Sequence, residues 1–307
     1  MKIRLAAFPK GFMDALCVER SLSLLEWITL AAELDIEGLE FYDGFLESTE
    51  ADYLEKVRRA LRDHKLEMPM LCCSPNFTHP DSFERQKEVK KEKDWIDLVA
   101  FFGGRTCRVL SGQRYPEVSR RQGVGWVTEC LQQLVEYAEK KRVVLAMENH
   151  YKDNYWDYPE FAQKLDVFLE ILDAVPSPWL GVNFDPSNAF LAGENPLDVF
   201  EATKHRIVSM HASDRYLKPG HTAEELAATA PAKDYPSILE HGVIGQGLND
   251  YDRIFAVLRE IDFDGWVSIE DGMGGMKDLH ASVAFLRSKM ERYSSVSRSL
   301  GPAGGIE

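Results

Sequence analysis

The sequence predicts an α/β protein, a single-domain (β/α)8 TIM barrel, and three observations predict it. Eight short apolar runs recur at intervals of about 25 to 45 residues, the spacing of strands that alternate with helices. Each run leads, directly or through a loop, into a stretch with the 3.6-residue periodicity of an amphipathic helix. The 307 residues contain no linker long enough to divide them. Parallel strands need crossover helices, and eight βα units remove both sheet edges most economically by closing on themselves. An open doubly wound sheet is the alternative; it would be favoured by a Gly-rich phosphate turn after the first strand, and "FPKGFM" contains no GxGxxG.

The elements follow in order. "IRLAAF" (3–8) is the first strand and "SLLEWITLAAEL" (23–34) its helix. "GLEFY" (38–42) and "ADYLEKVRRALRDH" (51–64) form the second unit, "MPMLCC" (68–73) and "DWIDLVAFFG" (94–103) the third. "TCRVL" (106–110) precedes "VTECLQQLVEYAEKK" (127–141), and "VVLAMEN" (143–149) precedes "PEFAQKLDVFLEILDAV" (159–175). "WLGVNFD" (179–185) leads to "NPLDVFEAT" (195–203), "IVSMHAS" (207–213) to "YDRIFAVLREI" (251–261), and "WVSIED" (266–271) to "MKDLHASVAFLRSKM" (276–290). Residues 216–247 are the longest insertion between strands, on the side where barrels place substrate loops. The barrel is expected to span 1–290, and the Ser-, Gly- and Pro-containing residues 291–307 to form a flexible tail.

Composition excludes several classes of function. With 36 Lys plus Arg against 50 Asp plus Glu, the formal charge of −14 repels phosphate backbones and anionic lipid, so no nucleic-acid partner is expected. No apolar run reaches the length of a membrane span, and the four-residue run before Pro9 is too short for a signal-peptide core. Five cysteines, an odd number without CxxC spacing, read as reduced thiols in a cytoplasmic protein. The adjacent Cys72 and Cys73 fit packing better than reactivity.

Barrels keep their chemistry at the C-terminal ends of their strands. There the fifth strand ends in Glu148, the sixth in Asp185, the seventh in His211 and the eighth in Glu270. Singly, each residue also fits a cap, an Asx turn, a core histidine or a solvated turn. Jointly, three carboxylates gathered at one mouth repel by several kcal/mol unless protonation shifts or a cation sits among them. A divalent metal resolves the conflict, and three oxygen ligands with one nitrogen suit Mn²⁺, Mg²⁺ or Co²⁺, with Zn²⁺ as a further option. His150, Asn188, Asp214 and Arg215 lie close by in sequence as candidate substrate contacts, and the forked guanidinium groups of Arg108 and Arg114 suit a carboxylate or phosphate. Tyr151, Tyr155, Trp156 and Tyr158 could wall a sugar ring, or simply pack.

The motifs "MENH", "NFDPSN", "HASD" and "SIED", with the closing "GQGLNDYDRIFAVLREIDFDGWVSIE", resemble the xylose-isomerase-like barrel superfamily of sugar isomerases and epimerases over nearly the whole chain. The resemblance implies one divalent metal, Mn²⁺ foremost, held by Glu148, Asp185, His211 and Glu270, and a small carbohydrate substrate. It also implies that Glu148 and Glu270 flank this substrate, one taking and the other returning a proton; relatives are often dimers or tetramers, so a homo-oligomer is one option and the oligomeric state stays open. Two positions depart from the family. Asn188 stands where its epimerases commonly carry His, and Leu217 where they carry Arg, with Arg215 nearby, which weakens a direct transfer of ketose 3-epimerase activity. Asn188 also argues against the abasic-site endonuclease branch, whose three-zinc cluster needs further His ligands. A lyase that decarboxylates a 3-oxo sugar acid is the alternative activity, and a sugar-binding barrel without catalysis is the alternative class.

Overall fold

A computed structural model describes residues 2–153, 156–229 and 237–295. The strands are β1 (Lys2–Ala7), β2 (Gly38–Leu39), β3 (Phe41–Tyr42), β4 (Met70–Cys72), β5 (Thr106–Val109), β6 (Val144–Glu148), β7 (Leu180–Phe184), β8 (Ile207–Ala212), β9 (Arg215–Leu217), β10 (Leu239–His241) and β11 (Asp264–Ile269). All but β9 and β10 belong to one parallel sheet, in the order β2-β1-β11-β8-β7-β6-β5-β4-β3. Its two ends are consecutive in the chain: β2 pairs with β1 and β3 with β4, separated only by Glu40. Together they are the second barrel strand, and they close the ring as the eight apolar runs predict. Glu40 bridges the break through its backbone, its N–H donating to the Ala7 carbonyl at 3.0 Å.

Helices cover the outside, and both faces of the strands are buried. Several helices begin earlier than their periodicity suggests, because capping residues extend them. Asp81 caps Ser82–Phe102 and a Ser119/Gln122 capping box starts Arg120–Lys141. The helix of the fifth unit is shorter than expected, Leu165–Ala174, and Pro159–Lys164 instead belong to the loop before it, where Phe161 N–H donates to the Gly112 carbonyl at 2.7 Å. The last helix, Met276–Ser295, runs beyond residue 290, where the tail was placed; residues 296–307 lie outside the described residues.

The insertion after β8 contains an element that the sequence did not suggest. β9 and β10 form an antiparallel hairpin, and Leu226 and Leu239 pack there with Tyr151 and Leu191 in a small apolar cluster apart from the main core. Among the described residues no helix is long and apolar enough to cross a membrane.

Candidate metal centre

At the tip of β6 the pleat turns Glu148 inward, where both oxygens are taken: Arg108 Nη1 donates to Oε2 at 3.0 Å and Asn188 Nδ2 to Oε1 at 3.3 Å. Asn149, one residue on, stitches this tip to the next. Its side chain donates to the Asp185 carbonyl at 2.7 Å and accepts from the Asp185 N–H at 2.9 Å. Asp185 then caps the short helix Pro186–Leu191, with Pro at the first helical position, and its Oδ1 accepts from Ser187 N, Asn188 N and Ser213 Oγ. Its other oxygen, Oδ2, is buried with no hydrogen-bond partner. His211, on β8, presents Nδ1 at 3.2 Å from Glu148 Oε1 and 3.2 Å from Glu270 Oε2. Glu270 follows β11, held in line by its N–H bond to the Ala212 carbonyl at 2.8 Å.

These four side chains are buried, and one ligand atom from each lies within 4.8 Å of all the others. The arrangement fits a divalent ion. Donors about 2.1 Å from one ion in cis positions stand about 3 Å apart, close to the separations measured from His211 Nδ1. The unpartnered Asp185 Oδ2 is the further atom such an ion would satisfy. Without an ion, the charges strain one another. Burial first, and then the charges of Glu270 and Glu148, push the Asp185 carboxyl up to about 7. Burial also opposes ionisation of Glu148, but His211 and Arg108 outweigh it and hold its carboxyl at about 2. Lys10, 3.3 Å from Glu270 Oε1, and His211 together hold Glu270 well below the usual carboxylate range against the same burial.

Beside the quartet opens a cavity of about 340 Å³, lined among others by Lys10, Tyr42, Arg108, His150, His241 and Glu270. Of the candidate substrate contacts, Arg108 and His150 reach this wall. Arg108 also grips the barrel, with Nε donating to the Cys73 carbonyl at 3.3 Å and Nη2 to Ser74 Oγ at 3.1 Å, while His150 Nδ1 is buried without a partner. The others are committed elsewhere. Asn188 contacts Glu148, and Arg114 donates to Gln163 at 3.3 Å. Arg215 is buried in an ion pair with Asp271 at 3.0 Å. Asp214 accepts from the N–H groups of Arg215, Gly245, Gly247 and Asn249, so it shapes the Gly-x-Gly loop. That loop requires its glycines: Gly245 has φ +87°, and a Cβ on Gly247 would lie 2.3 Å from the Arg215 carbonyl oxygen. Of the aromatic cluster, Tyr151 packs into the small apolar core, Tyr158 stacks obliquely on Tyr115, and Tyr155 lies outside the described residues.

Sequence reasoning missed Lys10, His241, Asp271 and Glu40. Glu40 carried a signal, a lone charge inside the apolar run "GLEFY", which strand alternation places on one face with Gly38 and Tyr42. Lys10 and His241 reach the cavity from a 3-10 turn and from the insertion hairpin, where no periodicity marks them.

Comparison with known proteins gives a consistent fold. A family described as the xylose isomerase-like TIM barrel matches residues 28–289. A 3-oxo-isoapionate decarboxylase of Pectobacterium atrosepticum is 33% identical over 92 residues, 30% of this chain and 29% of that protein, so the match spans under a third of its length. The crystal structure of a D-tagatose 3-epimerase-like protein superposes with a TM-score of 0.75 at 19% identity, covering 96% of this chain and 99% of that one. The crystal structure of the IolI protein with a zinc atom does so with a TM-score of 0.69 at 16% identity, covering 95% of this chain and 98% of that one.

Proposed function

The chain belongs to the xylose isomerase-like TIM barrel family, and from that premise we propose that it is a divalent-metal-dependent isomerase or epimerase of a small keto-sugar or sugar acid. One observation carries the reading: Glu148, Asp185, His211 and Glu270 converge beside a cavity large enough for a small carbohydrate. A bound ion would act as the Lewis acid that stabilises the enediolate oxygen when a proton leaves the carbon beside a carbonyl. The remaining work falls to the chain itself. Glu270 faces the cavity and is kept ionised by Lys10 and His211, so it is the base that meets the substrate first. Glu148, 3.2 Å from His211 Nδ1 and also held ionised, would be the partner that exchanges the second proton. Arg108, His150 and Lys10 supply donors for the polar edge of the substrate, while Phe8 and Tyr42 on the same wall exclude water from it. Three carboxylates and one imidazole suit Mn²⁺ first among Mn²⁺, Mg²⁺, Co²⁺ and Zn²⁺. Five unpaired cysteines suit the cytoplasm.

Metal analysis of the purified protein should find about one ion per chain, and a keto-sugar panel followed by NMR in D2O should show a substrate that exchanges a C–H proton and changes stereochemistry. Glu148→Gln and Glu270→Gln should each lower turnover by about 10²- to 10⁴-fold while leaving the fold intact. Near-normal turnover in both variants, or a native protein without an ion, would refute the reading.

The stretch matched to the decarboxylase favours a second reading, decarboxylation of a 3-oxo sugar acid at the same site. Loss of carbon dioxide beside a ketone leaves the same kind of anion as proton removal, so both activities need the same stabilisation. Carbon dioxide released from an oxo-acid panel, without deuterium exchange on unreacted ketoses, would identify the lyase.

A further inference from the structure

The histidine of the quartet has a second partner outside it. On the side away from Glu148 and Glu270, His211 Nε2 lies 2.8 Å from Glu40 Oε2, and both side chains are fully buried. Cys72 Sγ, 3.8 Å from the same Glu40 oxygen, is buried beside the pair. A neutral imidazole has a single N–H. If that N–H sits on Nε2 and donates to Glu40, Nδ1 is left bare, and Nδ1 is the nitrogen that faces the quartet's carboxylate oxygens.

We propose that Glu40 is a positioning residue for the metal centre: it fixes the His211 tautomer and ring orientation and makes Nδ1 a stronger ligand, without touching the ion. Three features of the structure support the assignment. Glu40 reaches His211 across the barrel interior, from the break in the second strand to β8, so neither chain proximity nor strand pairing explains the contact. Glu40 bonds to the nitrogen opposite the one that faces the quartet. A carboxylate buried without a cation is expensive, and the 2.8 Å bond to His211 is the shorter of the two contacts that compensate Glu40 Oε2, the other being the weak Cys72 thiol donor at 3.8 Å. Carboxylates that accept from the far nitrogen of a metal-bound imidazole commonly raise its basicity, and their removal weakens metal binding by about 10- to 100-fold.

The inference rests on the metal reading of the site, and its test has readouts other than turnover. Isothermal titration with Mn²⁺ should give Kd values about 10- to 100-fold weaker for Glu40→Gln than for the native protein. Glu40→Leu should bind more weakly still, because glutamine keeps an acceptor for the Nε2 proton and leucine does not. In Zn²⁺-loaded native protein with ¹⁵N-labelled histidine, long-range ¹H–¹⁵N spectra should show the His211 proton on Nε2, and Glu40→Gln should retain that pattern. Two results would overturn the assignment: native affinity in both folded variants, or a native His211 proton on Nδ1. The spectrum of the native protein decides the matter even if both variants fail to fold. A native protein that takes up no divalent ion would overturn the metal reading together with this inference, whereas ion uptake that is indifferent to Glu40 would overturn this inference alone.

Discussion

Asp185 divides two tasks between its two oxygens, one capping a helix and bonding Ser213, the other standing unpartnered toward its fellow acids. Asp185→Asn keeps the capping oxygen and removes the charge. It should bind Mn²⁺ at least about 100-fold more weakly while its metal-free melting temperature stays level or rises, as calorimetry with and without metal would show. Glu92 invites a different test. It is buried behind β4 and β5, with Cys107 Sγ 3.1 Å from Oε1, and burial raises its carboxyl from 4.5 to about 8. The folded state therefore holds this proton more tightly than the unfolded chain does. The resulting stability is complete below pH 4.5 and is lost as pH rises through 8, by on the order of 4 to 5 kcal/mol. Glu92→Gln should lose that much less than the native protein between pH 4 and pH 9 in urea titrations; parallel curves would contradict it. The quartet was legible in sequence because each member ends an apolar strand and the fold alone brings strand ends together. Glu40 and Lys10 were not, because their roles depend on which residue faces them across the ring.

Strands and helices were read well wherever periodicity speaks, and less well where side chains rather than pattern set the boundary. The hairpin of β9 and β10 is short and little alternating, and it is held by buried polar anchors instead. Asp271 accepts from Arg215 Nη1 at 3.0 Å and pairs with His241 Nδ1 at 3.0 Å, while Asp214 gathers the N–H groups of the Gly-x-Gly loop. Asp214 looked like a substrate contact because it lies three residues after His211, whereas Asp271 was read only as part of a turn after Glu270. Asp214→Ala would strand several amides and should cost about 2 to 4 kcal/mol, with faster proteolysis between 216 and 249. Ion affinity should change little, since Asp214 does not touch the quartet.

At the scale of the whole molecule, closure of the ring and assembly of the centre are linked. An ion bound only by the folded barrel should stabilise it by about 2.7 kcal/mol at 100 times its Kd. A melting temperature that rises on Mn²⁺ addition and falls back with a chelator would demonstrate the linkage. The four residues of the quartet are unevenly distributed. All four stand at or just past the ends of β6, β7, β8 and β11, neighbours in the sheet, whereas Lys10, Tyr42 and Arg108 come from the opposite arc. The wall of the cavity is nevertheless shared, because His150, His241 and Glu270 line it from the quartet's own side. Edits among the first hundred or so residues would therefore reshape only part of that wall, the rest being tied to the segments that carry the quartet.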